Sequence, residues 1–176
     1  MDEVSSLGVP IELIGIYPTP EVFPNDPSAT PDKLAYIVQD VVRLARERGL
    51  KVGFPPPGDP DWSIAHAAFL AAQQRGAGRR FMLEAFRQRF SAGADLGDDS
   101  AIAEAARRAE LDPDDIVTSA HSDALRAEAA AGWRRGSERD HIFGVPSFVY
   151  AGKLYWGQDR MHFLRSAVER KAGRTT

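Results

Sequence analysis

Two runs near the C-terminus hold the residues best placed to do chemistry. They are His141-Ile142-Phe143-Gly144-Val145-Pro146-Ser147-Phe148 and Leu154-Tyr155-Trp156-Gly157-Gln158-Asp159-Arg160. A Val–Pro step stands just ahead of an apolar alternating segment, where a trans proline would obstruct strand pairing. A cis bond at Val145-Pro146 solves that geometry and turns the Val145 N–H and C=O outward, as an edge for a peptide-like ligand. Other chemistries find less support. The chain has no cysteine, so disulfide exchange is excluded as the sequence stands, and any thiol must arrive on a ligand. Cys-based zinc sites are excluded with it. The histidines (His66, His121, His141, His162) are scattered, and no metal site is expected. The paired carboxylates of Asp112-Pro113-Asp114-Asp115 read as an N-cap, an N1 proline and an acidic first turn rather than as an acid/base pair.

The elements that must position the two runs follow from hydrophobic period and turn residues. A strand is expected over 10–17. A proline-rich loop follows over 18–31, and a loop of that length is often functional. A helix is expected over 32–48, closed by Gly49. Leu50 to Phe54 is short and extended. A helical block over 63–91, broken near Gly76-Ala77-Gly78, carries alanines suited to close helix packing. Asp98 or Asp99 is placed to cap a helix reaching Ala109, and another helix runs over 122–137, ending at Gly136. Then come a strand over 147–150, a turn at Ala151-Gly152-Lys153, and a returning strand over 154–156. A terminal helix runs over 160–171 with Asp159 as its cap.

The 176 residues suit one domain carrying an insertion. Hydrophobic residues make up 43% and charged ones 27%, an ordinary composition for a soluble protein. A net charge of −3 gives no reason to expect nucleic acid or an anionic membrane as partner. No stretch approaches the ~20 apolar residues of a membrane span. With no secretory signal visible, a cytoplasmic location is expected. The fold class is α+β: a single domain over 1–176, with core elements at 10–17 and 145–171 and a helical insertion over 32–137.

The Gly144-Val145-Pro146-Ser147-Phe148 run, joined to Trp156-Gly157-Gln158-Asp159-Arg160, resembles the C-terminal end of thioredoxin-fold proteins. In detail it is similar to the DsbA-like branch holding the 2-hydroxychromene-2-carboxylate isomerases and the kappa-class glutathione transferases. Pro31-Asp32-Lys33-Leu34-Ala35-Tyr36-Ile37-Val38-Gln39-Asp40 resembles the same branch. The resemblance implies glutathione as the cofactor and a small aromatic molecule as substrate. Val145 and Pro146 would hold the cysteinyl unit, and Gln158 and Asp159 the γ-glutamyl end. Asp159 would pair with the ammonium there, and a helix start favours the carboxylate. Lys33 would approach the glycine carboxylate as a point charge, with Asn25 nearby. Trp62 and Trp156 would line the second-substrate pocket.

The branch's first strand and its catalytic serine find no counterpart, so the catalytic residue stays unknown. Met1 to Pro10 reads as the tail of the branch's first helix. On that reading the fold is N-terminally truncated and the flanking strands have open edges. A shortened sequence, direct pairing of the remaining strands, or supply of an edge by a second copy are the remedies, and a homodimer is the expected one. Two other functions stay open: a non-catalytic thioredoxin-like binding or assembly module, and a relative of DsbA-type disulfide oxidoreductases. The absence of cysteine speaks against the latter.

Overall fold

The computed structural model describes residues 5–16, 30–56 and 58–173. The chain divides into two compact units, Met1–Ile16 with Gly132–Thr176, and Tyr17–Ala131. Helix α1 (Pro31–Glu47) opens on a proline at its first position, where the missing N–H costs nothing, and carries Lys33 exposed in its first turn.

The second unit is helical. Its centre is α2 (Trp62–Gln74), which buries Ala65, Ala67, Ala68, Ala71 and Ala72 beside Ile64 and Phe69. Side chains this small let α3 (Gly78–Arg87) and α5 (Pro113–Ala120) come close. Helix α4 (Asp99–Arg108) adds Ala101, Ile102, Ala105 and Ala106 to the same core. Asp112 caps α5 as expected, its Oδ1 accepting from the N–H groups of Asp114 and Asp115 at 3.0 and 3.3 Å. Arg75 then ties the end of α2 to the start of α5 by a bidentate pair with Asp115 at 2.5 and 2.6 Å. Asp98 stands at the N-cap position of α4, but its side chain makes no capping bond.

The first unit holds the sheet, a two-stranded antiparallel ladder of β1 (Ser147–Tyr150) and β2 (Lys153–Trp156). Ala151 and Gly152 both have positive φ (51° and 73°), as a two-residue primed turn requires. The register pairs Ser147 with Trp156, Phe148 with Tyr155, Val149 with Leu154 and Tyr150 with Lys153. Helix α7 (Met161–Ala172) buries Met161, Leu164 and Val168, and Leu7, Val9, Phe148, Tyr150 and Tyr155 pack on them.

Three expectations are corrected. Residues 10–16 form no helix and belong to no sheet among the described residues, since an alternating pattern alone does not make a ladder; Tyr17 lies outside them. The helix expected to stop at Gly136 is α6 (Asp123–Asp140), which runs through Gly132 and Gly136 and stops where His141 turns left-handed at φ 53°. Glycine in a helix interior costs only about 1 kcal/mol, and packing overrides that. Asp159 does not cap the terminal helix. It lies inside a 3-10 turn (Gln158–Arg160) that precedes α7.

Candidate functional site

The open end of the hairpin gathers most of the residues singled out in the sequence. Because Ser147 faces Trp156, the preceding Pro146 meets the following Gly157, and the Gly157 N–H donates to the Pro146 carbonyl at 2.9 Å. The Val145-Pro146 peptide bond is cis. Val145 is 52% exposed, and among the described residues its backbone N–H and C=O have no hydrogen-bond partner. The residues before it are anchored: Ser147 Oγ donates to the Gly144 carbonyl at 2.6 Å. A short length of unpaired backbone therefore faces outward on a fixed support, which suits recognition of an extended peptide-like ligand.

Two glycines make this geometry possible. Gly157 has φ 97°, and a Cβ there would stand 2.5 Å from Asp159 Oδ1, so the Asp159 carboxylate folds back over the turn. A Cβ at Gly144 would stand 2.7 Å from Trp156 Nε1. The bare Gly144 leaves room for the Trp156 indole, which packs on Phe143 with ring centroids 5.0 Å apart. Trp156 remains 53% exposed, so it is a wall of this surface rather than a core residue. The Asp159 carboxylate forms an ion pair with Arg160, and both side chains are more than half exposed. A carboxylate so exposed can exchange the Arg160 guanidinium for a ligand's ammonium at little cost.

The hairpin end thus brings together Val145, Pro146, Trp156, Gln158 and Asp159. Lys33 and Trp62 belong to the other unit, and Asn25 lies outside the described residues. Trp62 opens α2 and is partly buried, with the Arg89 guanidinium 5.5 Å from its ring centroid. His66, one turn on, donates from Nδ1 to the Trp62 carbonyl at 2.7 Å, a structural use of a helical histidine. A separate open cleft of about 470 Å³ lies between Glu12 and Ile14 on one side and Gly132, Arg135 and Arg139 on the other. None of the expected site residues lines it.

Sequence reasoning passed over one polar network in the helical unit. Asp61 caps α2: its Oδ1 accepts from the Ser63 N–H at 3.0 Å and from the Ser63 hydroxyl at 2.5 Å. Arg126 closes the network, Nη2 to Asp61 Oδ2 at 2.7 Å and Nε to Ser63 Oγ at 2.6 Å. The Ser63 hydroxyl bond, then its backbone N–H and the Arg126 charge, hold the Asp61 carboxyl below the usual carboxylate range against a partial cost of burial. The Asp61-Trp62-Ser63 order was a capping signal in plain view; the contribution of Arg126, 65 residues away, was not. Among the described residues no cluster of three or more His, Asp or Glu could hold a metal, and no helix is long and apolar enough to cross a membrane.

Comparison with known proteins agrees with this architecture. The 2-hydroxychromene-2-carboxylate isomerase of Sphingobium xenophagum is 25% identical over 135 residues, which are 76% of this chain and 67% of that protein. A solved 2-hydroxychromene-2-carboxylate isomerase structure matches with a TM-score of 0.81 at 20% identity, over 98% of this chain and 86% of its own, a likeness of fold. The model of the DSBA-like thioredoxin domain matches residues 9–169. A chain that carries the cis-proline hairpin, the terminal helix behind it and a helical unit between residues 17 and 131 across that match belongs to the DSBA-like thioredoxin domain family.

Proposed function

We propose that this chain binds glutathione at the open end of the hairpin and serves an isomerase or transferase reaction of the 2-hydroxychromene-2-carboxylate isomerase type. The observation that carries the reading is the juxtaposition of the outward Val145 backbone with the Gly157–Arg160 turn. The similarity to a protein named for that reaction supports it. In this reading Val145 and Pro146 receive the cysteinyl unit, and Gln158 and Asp159 the γ-glutamyl group. Trp156 borders the aromatic second substrate.

The reaction divides into steps that glutathione itself supplies. Its thiolate adds to a conjugated, ring-opened aromatic acid, converting a double bond to a single one. Rotation follows, and expulsion of the thiolate restores the double bond with the other geometry. The residues of this chain bind and orient, and none is assigned as nucleophile or base. The cytoplasm, where reduced glutathione is abundant, is the compartment this reading requires.

Calorimetric titration with glutathione tests it, with Asp159→Ala as the comparison. Saturable binding that the substitution weakens by about tenfold or more is expected. Absence of binding to folded protein, or equal binding by the variant, would remove the γ-glutamyl site from this turn.

A further inference from the structure

Helix α1 carries an apolar seam that no other helix of its unit covers. Leu34, Ile37, Val41 and Leu44 recur at spacings of three, four and three residues, the pattern of a helix built to pair with another helix. Val38 lies beside them on the same face. Leu34, Val38 and Val41 are 44%, 39% and 47% exposed, and Ala45 is the one buried residue of the helix. Among the described residues no other helix of that unit packs closely on α1. Scattered apolar side chains on a surface need no explanation, but a contiguous stripe of them marks a docking face.

A second copy of the same helix is the occupant that the charges fit. Lys33 stands in the first turn and Glu47 in the last, each at the end where its own helix dipole disfavours it. Both are exposed, and neither has an ion-pair partner among the described residues. Lys33, Asp40 and Glu47, seven residues apart, line one flank of the seam. Packed antiparallel on a copy of itself, α1 sets Leu34 over the partner's Leu44 and Ile37 over the partner's Val41. Lys33 then meets the partner's Glu47, once at each end of the pair, and the two macrodipoles oppose one another. Asp40, near the two-fold axis, already pairs with Arg43 at 2.6 Å, which offsets the approach of its own copy. A parallel pair would set Lys33 against the partner's Val38 and gain no such match.

We propose that α1 is a dimerisation helix: two copies of this chain associate through the Leu34–Leu44 seam, antiparallel about a two-fold axis. The seam spans only two heptads, so the interface is small and association in the micromolar range is expected. The inference rests on the exposed face of α1 and not on the glutathione reading. Its test is therefore run without glutathione.

Sedimentation equilibrium of the full chain, from low to high micromolar concentration, tests it. The expected result is a monomer–dimer equilibrium that Val41→Glu abolishes. Val41 is 47% exposed, so that variant is expected to keep its fold, as circular dichroism checks. Lys33→Glu and Glu47→Lys are each expected to weaken the dimer about fivefold, and the two together to restore it. A monomer at every concentration would overturn the proposal. So would association that survives Val41→Glu, as a contact through the hairpin edges would, or a double variant that associates no more tightly than the single ones.

Discussion

Replacing Asp61 by alanine removes the cap of α2, the most buried helix among the described residues, and the structure sets the size of the effect. The cap bond to the Ser63 N–H is worth ~1 kcal/mol. The ion pair with Arg126 joins side chains 43% and 36% exposed, so solvent screening holds it to ~0.5 kcal/mol. The Ser63 hydroxyl, on a residue 7% exposed, loses its acceptor, for a further ~0.5 kcal/mol. The total is about 2 kcal/mol, or a fall in Tm of about 4–8 °C for a chain of this size. Circular dichroism of thermal unfolding at neutral pH measures it. Asp61→Asn keeps a capping oxygen and is expected to lose about half as much. The pH dependence supplies a sign. The folded carboxyl titrates below its ordinary range, so its contribution is fully present above about pH 4. It fades as the pH falls through the lower folded value. The gap between wild type and Asp61→Asn is expected to hold steady from neutral pH down to about 5 and to close at more acid pH. A Tm loss under about 1 °C for the alanine variant, or a gap that widens on acidification, would refute the reasoning.

Other substitutions probe other parts of the structure. Gly157→Ala forces a positive φ and a Cβ onto Asp159 Oδ1; it is expected to cost about 1–3 kcal/mol by chemical denaturation and to impair glutathione binding. Phe81→Ala empties a site 1% exposed and is expected to cost about 3–5 kcal/mol, seen as a lowered urea midpoint. Since β1 and β2 pair only with each other among the described residues, both outer edges of the hairpin lack a ladder partner there, and a homodimer is expected in sedimentation; a monodisperse monomer would contradict that.

What was legible in the sequence follows the range of the forces involved. The hairpin could be read because its turn, alternation and proline lie within ten residues, and the α5 cap because Asp112, Pro113, Asp114 and Asp115 are adjacent. The strand expected over 10–17 shows the opposite case: alternation identifies a segment able to pair, while pairing depends on a neighbour that local pattern cannot supply. Gly136 reads as a stop, yet α6 continues through it, since a glycine's weak helix propensity yields to packing.

The central claim, glutathione at the hairpin end, is tested most directly by backbone amide NMR of the 19.3 kDa chain during glutathione titration. The account predicts saturable shifts concentrated at Val145, Gly157, Gln158 and Asp159, lost in Asp159→Ala. Shifts centred elsewhere, or none in a well-dispersed spectrum, would contradict it.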